Sequence, residues 1–385
     1  MNKNMYKIFS LILLGTAIVS LSACESDPKS VSFKLDTVEG AEIHSEHQAA
    51  YLADPTYANI GKYSAFAEKE GYSVPIPISL SWSVTKAKSY VVNVSENADM
   101  SDAVSFNVKE KKLDFYNAKV NSKYYWTVTA NYKSNSFTSE VASFTTKDTI
   151  LRNIFVEGVD NFRDLGGYKI ASNKVVKQGL IYRSGQLNKD KVTDMQKLAS
   201  LEGQKVLKEQ LKIKCDIDLR KNVESDGVIE NSGLNESPID GARYCSLPMY
   251  YDGKNMLEHD DATKLAINRS SIVEFFNILS DSNNYPLVFH CVQGKDRTGM
   301  LSYLLGALLG ESESDLYRDY LFTNFSTSVG SPCKPDDINK RYGLTINKVE
   351  GSSLAEKTFK YLNEELLISS EVLGGVIANL TETIN

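Results

Sequence analysis

The run Pro286-Leu287-Val288-Phe289 is short, apolar and continuous, and a little further on Met300 to Leu309 is apolar almost without a break before Gly310. The first run is of buried-strand type and the second is of helix length, closed by a residue that favours helix ends. The stretch between them, His290-Cys291-Val292-Gln293-Gly294-Lys295-Asp296-Arg297-Thr298, is therefore a loop that leaves a strand and enters a helix N-terminus. Such a loop turns several backbone N–H groups inward, and with the helix dipole they seat a dianion without a metal.

The side chains of the loop fit that seat. Loop amides, the helix end and the Arg297 charge would hold Cys291 as a thiolate well below its ordinary pKa of about 8.5. The amides of Val292, Gln293, Gly294 and Lys295 would hold a phosphoryl group together with Arg297, whose planar fork grips two oxygens at once. Thr298 can donate its hydroxyl to the sulfur, improving it as a leaving group, and Gly294 lets the loop turn. His290 either tunes the nucleophile or hydrogen-bonds the loop backbone. A cysteine followed by an arginine six positions later is common by chance; the flanking histidine, glycine and threonine at a strand-to-helix junction make it specific. The pattern points to a cysteine nucleophile acting on phosphate esters.

Departure of the ester oxygen calls for an acid. Asp252, in the turn Tyr250-Tyr251-Asp252-Gly253, and Asp260 or Asp261 lie on polar, loop-like ground where a solvated carboxylate is the default.

The loop, read as HCVQGKDRTG, resembles the signature of the bacterial tyrosine-protein phosphatases of the tyrosine/serine and lipid-phosphatase type, usually HCxAGKDRTG, with Gln293 in place of the usual alanine. Asn161 to Tyr168 resembles the family's NFRDLGG element, Ile181 to Leu187 its LYRSGQL element, and Asp218-Leu219-Arg220 its DLR segment. The resemblance runs from about Asn153 to the C-terminus. It implies Asp296 as the proton donor, with Asp252 as the rival. It also implies Lys295 as a second loop cation that goes with acceptance of phosphoinositides as well as phosphoproteins. Arg163, Asp164, Arg183 and Asp218 become supporting charges around the loop or ion pairs that hold the segment in place, with Arg183 the one expected nearest the site.

At the start of the chain, Lys3 and Lys7 precede an apolar run from Ile8 to Leu21 and then Leu21-Ser22-Ala23-Cys24. The run is shorter than the ~20 residues of a spanning helix, so residues 1–23 read as a lipoprotein signal peptide with Cys24 as the lipidated residue, and 24–30 as a linker. This predicts an extracytoplasmic bacterial lipoprotein, anchored to the membrane and facing the periplasm or the cell surface. Loss of the signal removes Lys3 and Lys7 and no acid, so the formal charge of −6 becomes −8. Such an acidic body lacks the basic footprint of a nucleic-acid binder. Of the five cysteines, Cys215, Cys245 and Cys333 remain unassigned; an odd remainder argues against a disulfide framework, and Cys215 and Cys245 sit in strand-like runs as core thiols. Four scattered histidines and no CxxC predict no metal site and no cofactor.

Residues 31–148 have a period of two. Ile76, Ile78, Leu80, Trp82 and Val84 alternate with polar or proline positions, as do Tyr90, Val92 and Val94, and Tyr124, Trp126, Val128 and Ala130. Polar turns between such strands predict an all-β sandwich. Trp82, the Tyr124 to Ala130 strand and Phe144-Thr145-Thr146 resemble a fibronectin type III domain, although Gly40 to Tyr72 exceeds what such a domain carries. Residues 149–385 alternate strands with helices: Ile272, Phe275, Phe276 and Leu279 share one helical face, and Leu362, Leu366, Leu373, Val376 and Leu380 mark a helical C-terminus. The expected fold is α/β, a cysteine-phosphatase fold with a central, mostly parallel sheet flanked by helices and the site at the end of the strand carrying His290.

The expectation is an exported lipoprotein phosphatase with phosphotyrosine protein or phosphoinositide as substrate. An inositol-polyphosphate phosphatase is the nearest enzymatic alternative. A silent phosphatase fold that only captures phosphorylated ligands at the surface is the alternative from another class, and intact Cys291, Arg297 and Thr298 argue against it.

Overall fold

A computed structural model describes residues 27–64, 72–188, 198–220, 222–225, 228–231 and 236–384. Residues 1–23, expected as a signal peptide, and Cys24 lie outside the described residues. Among the described residues no helix is long and apolar enough to cross a membrane.

The alternating residues of the N-terminal half form two facing sheets. One pairs Lys34–Leu35, Ile78–Ser83 and Lys112–Phe115; the other runs Val38–Ala41, Ala142–Thr146, Lys123–Asn131, Ser89–Ser95 and Val104–Val108. Leu80 and Trp82 from the first sheet and Val92, Trp126 and Val128 from the second are buried in one core, with the two indole rings 6.4 Å apart. Period-two burial is what a half-covered sheet requires. Ile76 departs from the expected alternation: it precedes the strand, pairs its N–H with the Ile43 carbonyl and is 40% exposed.

The long stretch between Gly40 and Tyr72 does not join that core. It folds into the helices Glu46–Ala53 and Ile60–Ser64, whose Tyr51 and Ile60 belong to the hydrophobic core of the C-terminal half. Arg318 fastens them there, donating to the carbonyls of Tyr51 at 2.9 Å and Asp54 at 2.8 Å with its guanidinium over the Tyr51 ring. A second junction is polar and buried: Arg152 donates to the carbonyls of Ala118 and Asn117 and to Asp164, while the amide of Gln178 exchanges two hydrogen bonds with the backbone of Val120.

The C-terminal half is built on a six-stranded sheet ordered Arg152–Asn153, Arg163–Asp164, Ile181–Ser184, Leu287–His290, Cys215–Asp218 and Arg243–Ser246. The last four are parallel and the first two antiparallel. Leu287 and Phe289 enter the core beneath the helices Ala262–Ser280, Arg297–Leu309 and Ser370–Leu380, whereas Val288 faces the opposite core with Leu207 and Leu211. Cover on both faces explains why this strand is apolar without alternation. The helix Arg297–Leu309 is buried from Thr298 onward and stops at Gly310, whose φ of 92° is the left-handed cap. The C-terminal helical region breaks at Leu367, φ 58°, before Ser369 caps Ser370–Leu380.

Candidate active site

The strand Leu287–His290 is flanked by Ile181–Ser184 and Cys215–Asp218, so its C-terminal end opens between two neighbours that each deliver a charged segment. The loop from Cys291 to Asp296 follows at once and enters the helix at Arg297. Cys291 is 3% exposed. Burial alone would push its thiol pKa up, but Arg297 and the hydroxyl and backbone N–H of Thr298 outweigh burial and hold it below the ordinary value. Among the described residues, no protein acceptor takes the amides of Val292 through Asp296. Arg297 donates through Nη1 to the Leu219 carbonyl at 3.2 Å, while its Nε is buried without a partner. Unsatisfied donors gathered around a thiolate at a helix N-terminus describe an anion seat.

Each of the upstream segments holds this loop. Gly294 has φ 66°, and a Cβ there would lie 2.5 Å from the Ser184 carbonyl oxygen, so no side chain fits. Gln186 donates its N–H to the Val292 carbonyl at 3.1 Å. Asn161 donates its amide to the carbonyls of Gln293 and Gly294 at 2.9 and 3.2 Å. Arg183, fully buried, donates to the Gly294 carbonyl at 2.6 Å and to Asp319. Arg163 does not reach the loop directly; it donates to Asp319 at 2.6 Å and to Asn161. Asp164 holds Arg152 at 2.7 Å and the amides of Gly166 and Gly179, away from the loop.

On the other side, Asp218 clasps Arg220 and accepts from the Tyr244 hydroxyl at 3.0 Å. The adjacent Leu219 takes its N–H to the His290 carbonyl at 2.8 Å and offers its own carbonyl to Arg297. His290 is buried with Nε2 3.1 Å from Asp216 Oδ1. Burial disfavours its charge, yet Asp218 and Asp216 raise its pKa overall. It points to the strand side of the loop rather than to a substrate.

The two acid candidates differ in surroundings. Asp296 is largely buried, and burial raises its pKa even though it accepts from Arg341 and Tyr251. Asp252 is more exposed and ion-paired to Lys264 at 3.0 Å and to His259 at 3.1 Å, contacts that push its pKa well below the carboxylate range. A carboxyl held ionised by a lysine ammonium and a histidine ring N has no proton to give at working pH. Asp260 is likewise committed, to Lys254 at 2.8 Å, and Asp261 accepts from Thr263 and Lys264 amides to cap the helix Ala262–Ser280.

Lys295 departs from both readings made for it. It is neither a surface lysine nor aimed at the seat: it is 3% exposed, and its ammonium donates to the Ser331 carbonyl at 2.8 Å and hydroxyl at 3.0 Å. Two residues that the sequence reading missed belong to the site's frame. Asp319, on the helix Glu313–Phe322, anchors Arg163 and Arg183. Arg341 pairs with Asp296 and Asp337 and lies over the Tyr251 ring. Neither carries a sequence signal, since each reads as one more charge on a helical segment.

A family model described as the tyrosine phosphatase family matches residues 154–381, the stretch that contains every element just described. The chain belongs to the tyrosine phosphatase family. It is 29% identical over 171 residues to a Cupriavidus necator protein named as a tyrosine-protein phosphatase. That match covers 43% of this chain and 61% of its relative, so the chain spans less than two thirds of the relative's length. Among solved structures, the core catalytic domain of the PP-IP phosphatase SIW14 of S. cerevisiae, in complex with citrate, aligns at 18% identity and TM-score 0.29. The alignment covers 46% of this chain and 82% of that one. A second structure of the Siw14 catalytic core aligns at 16% identity and TM-score 0.29, over 49% and 88% of the two chains.

Proposed function

We propose that this phosphatase hydrolyses phosphate monoesters through a phosphocysteine intermediate, acting on phosphotyrosine protein or phosphoinositide as an exported, lipid-anchored enzyme. Cys291 Sγ attacks phosphorus while Arg297 and the amides of Val292 to Asp296 hold the non-bridging oxygens, and the ester oxygen leaves with a proton from Asp296. Asp296 then takes a proton from the attacking water, and Thr298 donates to the departing sulfur. The chemistry needs no cofactor.

One observation carries this reading: the acidified Cys291 thiol shares its loop with donors that have no protein acceptor, Arg297 Nε among them. A seat of unpaired donors next to a stabilised thiolate is costly to bury unless an anion fills it. The raised pKa of Asp296, against the lowered one of Asp252, supports Asp296 as the acid.

For the rest of the chain we read residues 31–148 as a fibronectin type III-like module and 149–385 as the catalytic domain, with Cys24 as the lipidated residue. The lipobox supports the anchor and localisation, and the module would stand between anchor and active site. Phosphate release by the full chain, with chelator present, over phosphotyrosine and phosphoserine peptides, phosphoinositides and inositol phosphates tests the activity and ranks the substrates. Turnover lost in Cys291→Ser supports the mechanism; a wild-type protein that binds a panel member without turnover would be the silent binding protein instead. Incorporation of labelled palmitate that disappears in Cys24→Ala tests the anchor.

A further inference from the structure

Two thiols that the phosphatase chemistry does not use meet on the sheet. Cys215 begins the strand Cys215–Asp218, and Cys245 lies on its parallel neighbour Arg243–Ser246, opposite Ile217. The pair is thus diagonal across the ladder and on one face of it. The two sulfurs are 3.7 Å apart, and both are free thiols. Their exposures differ: Cys215 is fully buried, whereas Cys245 is only partly covered.

We propose that Cys215 and Cys245 form a reversible dithiol–disulfide site, with Cys245 as the attacking thiol and Cys215 as the resolving one. The oxidant required is a small-molecule or protein disulfide. Cys245, as thiolate, attacks one sulfur of that disulfide, forming a mixed disulfide and releasing the other half as a thiolate. Cys215 then gives up its proton and attacks the Cys245 sulfur, which displaces the second half of the oxidant and closes the Cys215–Cys245 bond. Two thiols are oxidised, one disulfide is reduced and two protons are released.

Geometry assigns the order of events. Of the pair, Cys245 is the partly exposed residue, the one an incoming disulfide would meet first, and the buried Cys215 sulfur lies 3.7 Å from it, close enough to resolve the product. The hydrogen bond between them supports the same division, since it raises the Cys215 pKa and lowers that of Cys245. Arg243, opposite Cys215 in the ladder and two residues before Cys245, acts to lower both. Closure needs the sulfurs to approach to about 2.05 Å, which for a diagonal pair on neighbouring strands takes movement of the backbone as well as rotation of the two side chains. The site sits at the root of the segment that carries Asp218 and, through the Leu219 carbonyl, supports Arg297. In the exported protein an oxidising compartment would supply the disulfide; the thiol chemistry itself does not depend on that location.

The test exposes the full chain to oxidised glutathione, alkylates the remaining thiols under denaturing conditions and maps the peptides by mass spectrometry. The expected product is a peptide pair joined through Cys215 and Cys245, lighter by two hydrogens and released by dithiothreitol, with glutathione trapped on residue 245 in Cys215→Ser. Cys215 and Cys245 both recovered in alkylated form, or a bond that joins either to Cys291 or Cys333, would overturn the assignment. Glutathione that stays on Cys245 of the wild type would do so as well, because Cys215 would then not resolve it.

Discussion

The guanidinium of Arg183 joins the carbonyl of Gly294, 2.6 Å away, to the carboxylate of Asp319, so a buried acid on a helix beyond the sheet sets the position of the phosphate-loop glycine. Arg163 leans on the same carboxylate at 2.6 Å and on Asn161, which holds the Gln293 and Gly294 carbonyls. One carboxylate therefore serves two arginines that brace the loop from one side.

Removing that carboxylate leaves two buried cations without their partner. We predict that Asp319→Asn lowers stability by roughly 3–5 kcal/mol at neutral pH, the cost typical of breaking a buried pair. Arg163 and Arg183 hold the Asp319 pKa below its ordinary value against the opposing effect of burial. A depressed folded-state pKa contributes stability above the unfolded-state pKa, which is lost as pH falls through the folded one. Urea unfolding of wild type and variant should show the largest gap at neutral pH and a narrowing gap in acid; equal stability at pH 7 would contradict the bracing role.

Arg297→Lys keeps a positive charge but loses the planar fork and the Nε donor. We predict that kcat falls by about 10²–10³-fold, the range for losing one preorganised transition-state donor. Its thermal midpoint should stay close to wild type. Steady-state kinetics beside a thermal melt decide it, and an unchanged kcat would remove Arg297 from transition-state binding.

The pH dependence follows from the two shifted groups. In the proposed mechanism Cys291 acts as thiolate, which is present above its lowered pKa, and Asp296 acts as an acid, which is present below its raised pKa. The profile of kcat/KM should be a bell whose two limbs are the ionisations of Cys291 and Asp296. In Asp296→Asn the alkaline limb should flatten for substrates with poor leaving groups, while Asp252→Asn should leave the profile unchanged. The opposite pattern would transfer the acid role to Asp252.

At Gly294 a methyl group would meet the Ser184 carbonyl at 2.5 Å with the backbone already at φ 66°. We predict that Gly294→Ala displaces the loop, costing on the order of 1–3 kcal/mol in stability and most of the activity. Binding of inorganic vanadate, read by calorimetry, should weaken in parallel; wild-type affinity in the variant would mean that the seat tolerates the shift.

Several features could be read from residues along the chain because they rest on local periodicity and spacing. Leu287 to Phe289 reads as a two-sided strand and Met300 to Leu309 as a buried helix closed by Gly310; both are present, joined by the loop from Cys291 to Asp296. Alternation about Trp82 and Trp126 reads as two facing sheets, and both indoles lie in one core. The same logic overreached at Ile76, where an apolar residue in phase with a strand lies before the strand begins.

What depends on partners far away in the chain was not readable. Lys295 reads as a loop cation, but its ammonium is spent on Ser331. Asp319 and Arg341 read as solvated helix charges until folding brings Arg183 and Asp296 against them. The helices within Gly40 to Tyr72 follow a sandwich strand in sequence, yet Tyr51 packs in the other core. By itself the sequence determined the strand, the loop that follows it and the helix after the loop, since local backbone preference and side-chain chemistry act over a few residues. Only the tertiary structure decided which charges meet, because a buried ion pair depends on two distant segments losing water at the same place.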